Sequence, residues 1–181
     1  MISRAATGDF RLGLRMNRWA HWRAIQRLFA VVSRLGDGVI WYAVILALPI
    51  VFGDRGSKTS LSLTAASLLG VGIYQLIKTR FRRPRPFISH PEILAHATAL
   101  DEWSFPSGHT LHATSFLVLF ALQLPEMLWI FAPFALLTAL SRVILGLHYP
   151  SDVVAGAAVG AALGICVDSA SRWTFSAGTF F

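Results

Sequence analysis

Acidic residues and cysteine are both scarce in this 181-residue chain. Nine Asp and Glu stand against sixteen Lys and Arg, and charged residues together make up only 14% of the sequence, where an ordinary soluble domain is nearer a quarter. With 55% hydrophobic residues, too little polar surface is available to cover a water-soluble fold, and the composition places the chain in a membrane. A single cysteine, Cys166, excludes an internal disulfide. It lies in an Ala/Gly-rich apolar run, where a small packed residue is expected. Nothing like HExxH or a Cys/His quartet is present, so no metal-ligand spacing competes for a site. A cleavable leader is not expected, because seven arginines between Arg4 and Arg34 interrupt any apolar core. The net charge of +7 suits anionic lipid headgroups or phosphate groups. Nucleic acid is not an expected partner, because no supporting motif accompanies the charge.

What is present is long apolar sequence. Residues 1–18 read as a basic, loosely ordered tail. From Trp19 to Leu35, Trp22, Ile25, Phe29, Val32 and Leu35 recur at helical spacing, while Arg23, Arg27 and Arg34 share another face. This predicts an amphipathic helix suited to lying on a bilayer, broken by Gly36 and Gly38; whether it lies flat or crosses is left open. Apolar segments then run over 38–53, 59–77, 110–124, 127–147 and 152–170. A span needs about 20 residues, so the first and third are expected to extend by a turn into their flanks. The fold class predicted is all-α: a polytopic transmembrane helix bundle of about five spans plus an N-terminal amphipathic helix. One membrane-embedded domain is expected over 19–172, with a tail over 173–181. The Ala and Gly of the fifth segment read as close helix packing.

Polar residues gather in three clusters at the ends of these segments. Lys78, Arg80, Arg82, Arg83 and Arg85 follow the second span. They read either as a basic collar in the headgroups or, because Pro84 and Pro86 hold Arg85 in extended backbone, as a rigid guanidinium for phosphate oxygens. "SFPSGHT", residues 104–110, opens the third span. Ser107 suits an N-cap, Gly108 allows close backbone approach, and the helix terminus with His109 in its first turn is an anion site. "SRVILGLHYPSD", residues 141–152, closes the fourth span and opens the fifth. Arg142 is an ionisable residue inside an apolar segment, read as functional or as snorkelling. Asp152, four residues beyond His148, either complements the helix dipole or fixes the His148 tautomer. Chain reversal at each span puts all three clusters on one face of the membrane. The long polar loop 79–106 between them reads as functional or disordered, and "PEILAHATAL" within it could make a short helix covering the entrance to a site. His90 and His96 within it read as exposed loop histidines.

Lys78 with six residues to Arg85-Pro86, then Pro106-Ser107-Gly108-His109, then Ser141-Arg142 with five residues to His148 and three more to Asp152 resembles the type 2 phosphatidic-acid phosphatase superfamily. The resemblance covers roughly residues 78–152. It implies a phosphatase that needs no metal or other cofactor and acts on a membrane lipid phosphate such as undecaprenyl pyrophosphate, phosphatidylglycerophosphate, phosphatidic acid or lipid A phosphate. It implies that His148 is the nucleophile, oriented by Asp152, and that His109 protonates the leaving oxygen. Lys78, Arg85, Ser107, Gly108 and Arg142 would hold the phosphoryl oxygens. It also implies a bacterial inner-membrane location with an extracytoplasmic site, against a Lys/Arg count that favours a cytoplasmic one. The oligomeric state is left open. Two other readings are weighed. A vanadium-dependent haloperoxidase uses the same site but is soluble, and an anion channel or transporter would place its polar groups at mid-membrane rather than near one surface.

Overall fold

A computed structural model describes residues 4–177, and within them the fold is entirely helical. Helix α1 covers Arg4–Asn17, where a loose tail was expected. It is fastened by Asn17, whose buried side chain donates to the carbonyls of Leu94 and Ile144, both at 2.9 Å, and accepts from the Leu94 amide at 3.0 Å. A 3-10 turn, Arg18–His21, leads into α2, Arg23–Arg34. The buried side of α2 is narrower than the periodicity predicts. Phe29 and Val32 are buried against the bundle, but Trp22 is exposed. Rather than lying apart on a surface, α2 packs along α6 and continues through a π turn, Leu35–Val39, into the bundle. Gly38, at φ 135°, supplies the left-handed conformation that turns the chain there.

Helix α3, Ile40–Phe81, joins the first two expected spans. It breaks at Gly53, φ 54°, and doubles back: the Ser60 hydroxyl donates to the Ile45 carbonyl at 2.7 Å, so the two limbs run antiparallel. A one-turn helix α4, Pro86–Ser89, begins the long loop. The stretch 91–100 forms turns rather than the expected helix. Helix α5, Gly108–Gln123, starts two residues before the predicted segment and gains nothing at its other end. Its 16 residues suffice because α3, α6 and α7 enclose it, so the thickness of the hydrocarbon layer does not set its length. Helices α6, Leu128–Ile144, and α7, Pro150–Ala177, complete the chain. Residues 178–181 of the expected C-terminal tail, like residues 1–3, lie outside the described residues.

The core sets a cluster of aromatic rings among leucine and alanine side chains. Trp41 meets Phe116 edge-on at 5.0 Å between centroids, and Phe120 stacks on Phe131 at 5.2 Å. The outer surface is apolar as well: Ile50 is 86% exposed and Trp129 87%. Such a surface suits lipid and would associate in water. Among the described residues, three helical stretches, 23–89, 125–144 and 150–174, are long and apolar enough to cross a membrane. The protein is a multi-pass membrane protein. Cys166, expected to be packed, is instead exposed on the outer face of α7.

The closest helix contact is between α5 and α7, at Gly156, Gly160 and Gly164. A Cβ at Gly160 would stand 2.2 Å from the Leu111 carbonyl oxygen, and one at Gly156 2.5 Å from that of Ser107. The glycines expected to serve packing do so here, and they hold the start of α5 against the start of α7. Gly160→Ala is therefore predicted to cost about 1–3 kcal/mol through overpacking. Gly72→Ala, where nothing lies within 4 Å, is predicted to be neutral or slightly stabilising. Thermal unfolding of the two variants in the same detergent checks the contrast.

Candidate active site

All three polar clusters open onto one cavity of about 260 Å³, lined among others by Lys78, Arg85, Gly108, His109, Arg142 and His148. Each cluster is brought there by a chain feature legible in its sequence. After Lys78 the helix ends at Arg82, in left-handed conformation, and Arg85 follows in extended backbone. Ser107 occupies the N-cap position of α5, although its side chain makes no capping bond and instead accepts from the Thr110 hydroxyl at 3.0 Å. The amides of Gly108 and His109 in the first turn lie beyond the reach of intrahelical acceptors. After α6 the chain wraps tightly: the amides of Leu147 and His148 both donate to the Arg142 carbonyl at 3.0 Å, and Gly146, just before them, takes φ 75°. That turn carries His148 back over the same cavity that Arg142 enters.

The cations are buried and mostly balanced. Lys78 and Arg85 are each 2% exposed. Lys78 donates to one Asp101 carboxylate oxygen at 2.6 Å and Arg85 Nη2 to the other at 2.8 Å. Arg85 is held further by the carbonyls of Asp101 at 2.9 Å and Leu147 at 2.8 Å. Asp101 thus occupies the two cations much as two oxygens of a phosphate would. Burial raises the Asp101 carboxyl, but Lys78 and Arg85 outweigh it and hold the group below the usual carboxylate range. Arg142 is different. It points inward rather than snorkelling, donates to the Ser33 hydroxyl of α2, and forms no ion pair with a carboxylate among the described residues. Its Nε is buried without a hydrogen-bond partner. An under-satisfied buried guanidinium facing a cavity is a place for an anion.

His148 is held by its Nδ1, which donates to the Ser104 carbonyl at 2.7 Å, and this leaves the Nε2 lone pair facing the cavity, where it accepts a long hydrogen bond from Arg85 Nη1 at 3.4 Å. Asp152 Oδ2 is farther away, 3.7 Å from Nδ1. Asp152 is fully buried behind the ring and accepts from the Tyr149 amide at 2.8 Å, so it also serves the start of α7. Burial, and after it Arg142, Arg85, Lys78 and His109, hold His148 well below the usual imidazole range. It is therefore neutral at physiological pH. On the other side of the cavity His109 Nε2 is paired with Asp37. Ser107 and Asp152 do not line the cavity but stand directly behind it, joined by a bond from the Ser107 amide to the Asp152 carbonyl at 3.0 Å.

Sequence reasoning missed Asp37, Asp101 and Ser104. Asp101 and Ser104 belong to the long polar loop singled out for its length, but nothing in their spacing distinguishes them. Asp37 was hidden between two glycines read only as a helix break. His90 and His96 do not line the cavity. His90 packs between the rings of Phe10 and Tyr149, with centroids at 4.2 and 6.1 Å, rather than lying exposed.

Residues 59–175 match the PAP2 superfamily. The chain is 35% identical over 140 residues to a decaprenylphosphoryl-5-phosphoribose phosphatase of Mycobacterium tuberculosis, covering 76% of each. It is 33% identical over 129 residues to the undecaprenyl-diphosphatase BcrC of Bacillus subtilis, covering 70% of this chain and 65% of that one. The crystal structure of Aquifex aeolicus LpxE superposes with a TM-score of 0.72 at 25% identity, covering 88% and 93%. The class that fold and site define is a membrane phosphatase. The chain belongs to the PAP2 superfamily.

Arg85→Lys keeps the charge but cannot reproduce a fork that meets two carbonyls and a carboxylate. It is predicted to lower kcat/KM by roughly 10- to 100-fold, while Arg82→Lys, at an exposed arginine, stays within about twofold. Steady-state kinetics on one phosphorylated lipid compare the two. A second expectation concerns pH. Were His148 the group that attacks phosphorus, it would have to be neutral, and because its neutral form persists below the ordinary histidine value of about 6.5, the acid limb of the kcat/KM profile would fall below that value.

Proposed function

We propose that the protein hydrolyses a phosphomonoester or diphosphate of a membrane lipid by in-line transfer of the phosphoryl group to His148. The carrying observation is the shape of the cavity. Its lining joins the cations Lys78, Arg85 and Arg142 to Tyr74, Val71 and Ser67 at successive positions back along the second limb of α3, and includes Trp41, Tyr42 and Phe116. Eleven helical steps separate Lys78 from Ser67, about 16 Å along the axis. A phosphate at the cationic end would thus place an attached chain along an aromatic and aliphatic wall below the membrane surface.

Phosphoryl transfer asks for little beyond positioning and charge stabilisation. In this reading Lys78, Arg85 and Arg142 take the phosphoryl oxygens, with the α5 terminus at Ser107 and Gly108, and the incoming phosphate displaces Asp101 from its two cations. The His148 Nε2 lone pair attacks phosphorus as the bond to the leaving oxygen breaks, forming phosphohistidine. His109 gives that oxygen its proton and then takes one from the water that releases phosphate. Asp152 and the Ser104 carbonyl stabilise the charge that develops on the imidazole.

We read the chain as crossing the membrane five times, through the two limbs of α3 and through α5, α6 and α7, with residues 19–172 as one catalytic unit. The site is assigned to the extracytoplasmic face of a bacterial inner membrane. Basic residues crowd the site face, but Lys78, Arg85 and Arg142 are placed by the chemistry and say little about insertion. Among substrates, the relatives favour polyprenyl-linked phosphates and diphosphates over phosphatidic acid, phosphatidylglycerophosphate or lipid A phosphate.

The test is phosphate release from each of these lipids in detergent with EDTA present. At least one lipid should be turned over undiminished by the chelator, with His148→Ala inactive and no phosphoenzyme trapped in it. His109→Ala should lose far more activity on a phosphomonoester lipid, whose alcohol leaves poorly, than in the burst phase with nitrophenyl phosphate. Appreciable turnover by His148→Ala removes it as nucleophile; equal burst losses on both substrates reduce His109 to a phosphate ligand.

A further inference from the structure

Arg83 lies outside the residues that the family motifs assign, yet its side chain is tied to two carboxylates, a hydroxyl and an aromatic ring beside the site. Its Nη1 donates to Asp152 Oδ1 at 2.7 Å and to the Ser151 hydroxyl at 2.7 Å, and its Nη2 to Asp9 Oδ2 at 2.7 Å. The guanidinium lies over the Tyr149 ring, 3.9 Å from the centroid. Its main chain holds the other partner of His148: the Arg83 carbonyl accepts from the Ser104 amide at 2.8 Å, and Ser104 offers its own carbonyl to His148. Both groups that face His148 Nδ1 are therefore positioned by one residue.

Asp9 extends this arrangement to the N-terminal helix. While one carboxylate oxygen meets Arg83, the other accepts from the Ser151 amide at 2.9 Å in the first turn of α7, one residue before Asp152. Asp9 is nearly buried, with its side chain 10% exposed. A basic tail resting on headgroups has no use for a buried acid at this point. Asp152, at 0% exposure, needs a cation in contact to remain ionised, and Arg83 is the cation whose side chain reaches it.

We propose that Arg83 is a positioning residue that keeps Asp152 ionised and aimed at His148, and that helix α1 is part of the catalytic apparatus through the Asp9–Arg83 pair. This rests on the roles given to His148 and Asp152 above. Truncating or dislodging α1 would then slow chemistry without touching the phosphate cradle.

The experiment measures kcat, KM and their pH dependence on nitrophenyl phosphate and on undecaprenyl pyrophosphate, using the full chain in detergent. Arg83→Gln is expected to lower kcat about 100-fold with KM nearly unchanged, and Arg83→Lys to recover roughly a tenth of wild-type kcat. Asp9→Asn should lower kcat about fivefold. The pH readout separates positioning from simple damage. His148 is faced by Arg85 and Lys78 from α3 and its loop, Arg142 from α6, His109 from α5 and Asp152 from α7. Arg83→Gln removes the counter-ion of Asp152 together with the ion pair to Asp9, and leaves the other groups that face His148 in place; a buried carboxylate without its cation binds a proton more readily. The acid limb should therefore move to higher pH by about one unit. Arg83→Gln with kcat within twofold of wild type and an unmoved acid limb overturns the proposal. Should that variant not yield folded protein, Asp9→Asn decides by the same two readouts. Asp152→Asn keeps the two layers apart: wild-type rates in that variant sink the reading of the site itself, whereas a crippled Asp152→Asn beside a normal Arg83→Gln sinks this inference alone.

Discussion

Burying Lys78, Arg85 and Arg142 around one cavity is the constraint to which the surrounding structure answers. Each cation removed from water carries a desolvation cost, and the three repel one another. Asp101 offsets this for Lys78 and Arg85 by bridging them. Arg142 is satisfied only in part, by the hydroxyl of Ser33. The long loop is thus held over the site by the same charges that a substrate would use. Its ordering and the emptying of the cationic end are opposing demands on Asp101.

The helix ends supply what side chains alone could not. The start of α5 brings unpaired amides to the cavity, the wrapped end of α6 brings Arg142 and His148, and the start of α7 brings Asp152 behind them. These termini meet only because α5 and α7 approach along Gly156, Gly160 and Gly164, where a methyl group would collide with a carbonyl. Packing in the hydrocarbon region therefore sets geometry at the membrane surface. The short α5 follows from the same arrangement: enclosed by its neighbours, it has no lipid boundary to reach.

Much of this was legible in the chain. Periodicity located the apolar segments, Pro84 and Pro86 marked Arg85 as rigid, and span-by-span reversal put the three clusters on one face, where the structure brings them together. Other features were not. Residues 4–17 looked like a loose tail because their helix is stabilised from outside, by Asn17 reaching the carbonyls of Leu94 and Ile144 across 77 and 127 residues. Trp22 followed the apolar period of α2 but found no neighbour to cover it, and Cys166 sits among small residues yet faces outward. A pattern records which residues share a face; it does not record how much of that face another helix covers.

The sequence by itself determined that the chain is helical and membrane-embedded, and which cations and histidines stand at helix ends, because composition, periodicity and the chain-breaking residues act locally. Only the tertiary structure decided how those groups are partnered. The Ser104 carbonyl rather than Asp152 is nearest to His148 Nδ1, Asp101 spans Lys78 and Arg85, Asp37 meets His109, and Asp9 reaches Arg83 across 74 residues. Each of these contacts depends on how a loop or a remote helix is carried back over the bundle, and a carboxylate or carbonyl bears no mark in the sequence of the cation it will be folded against.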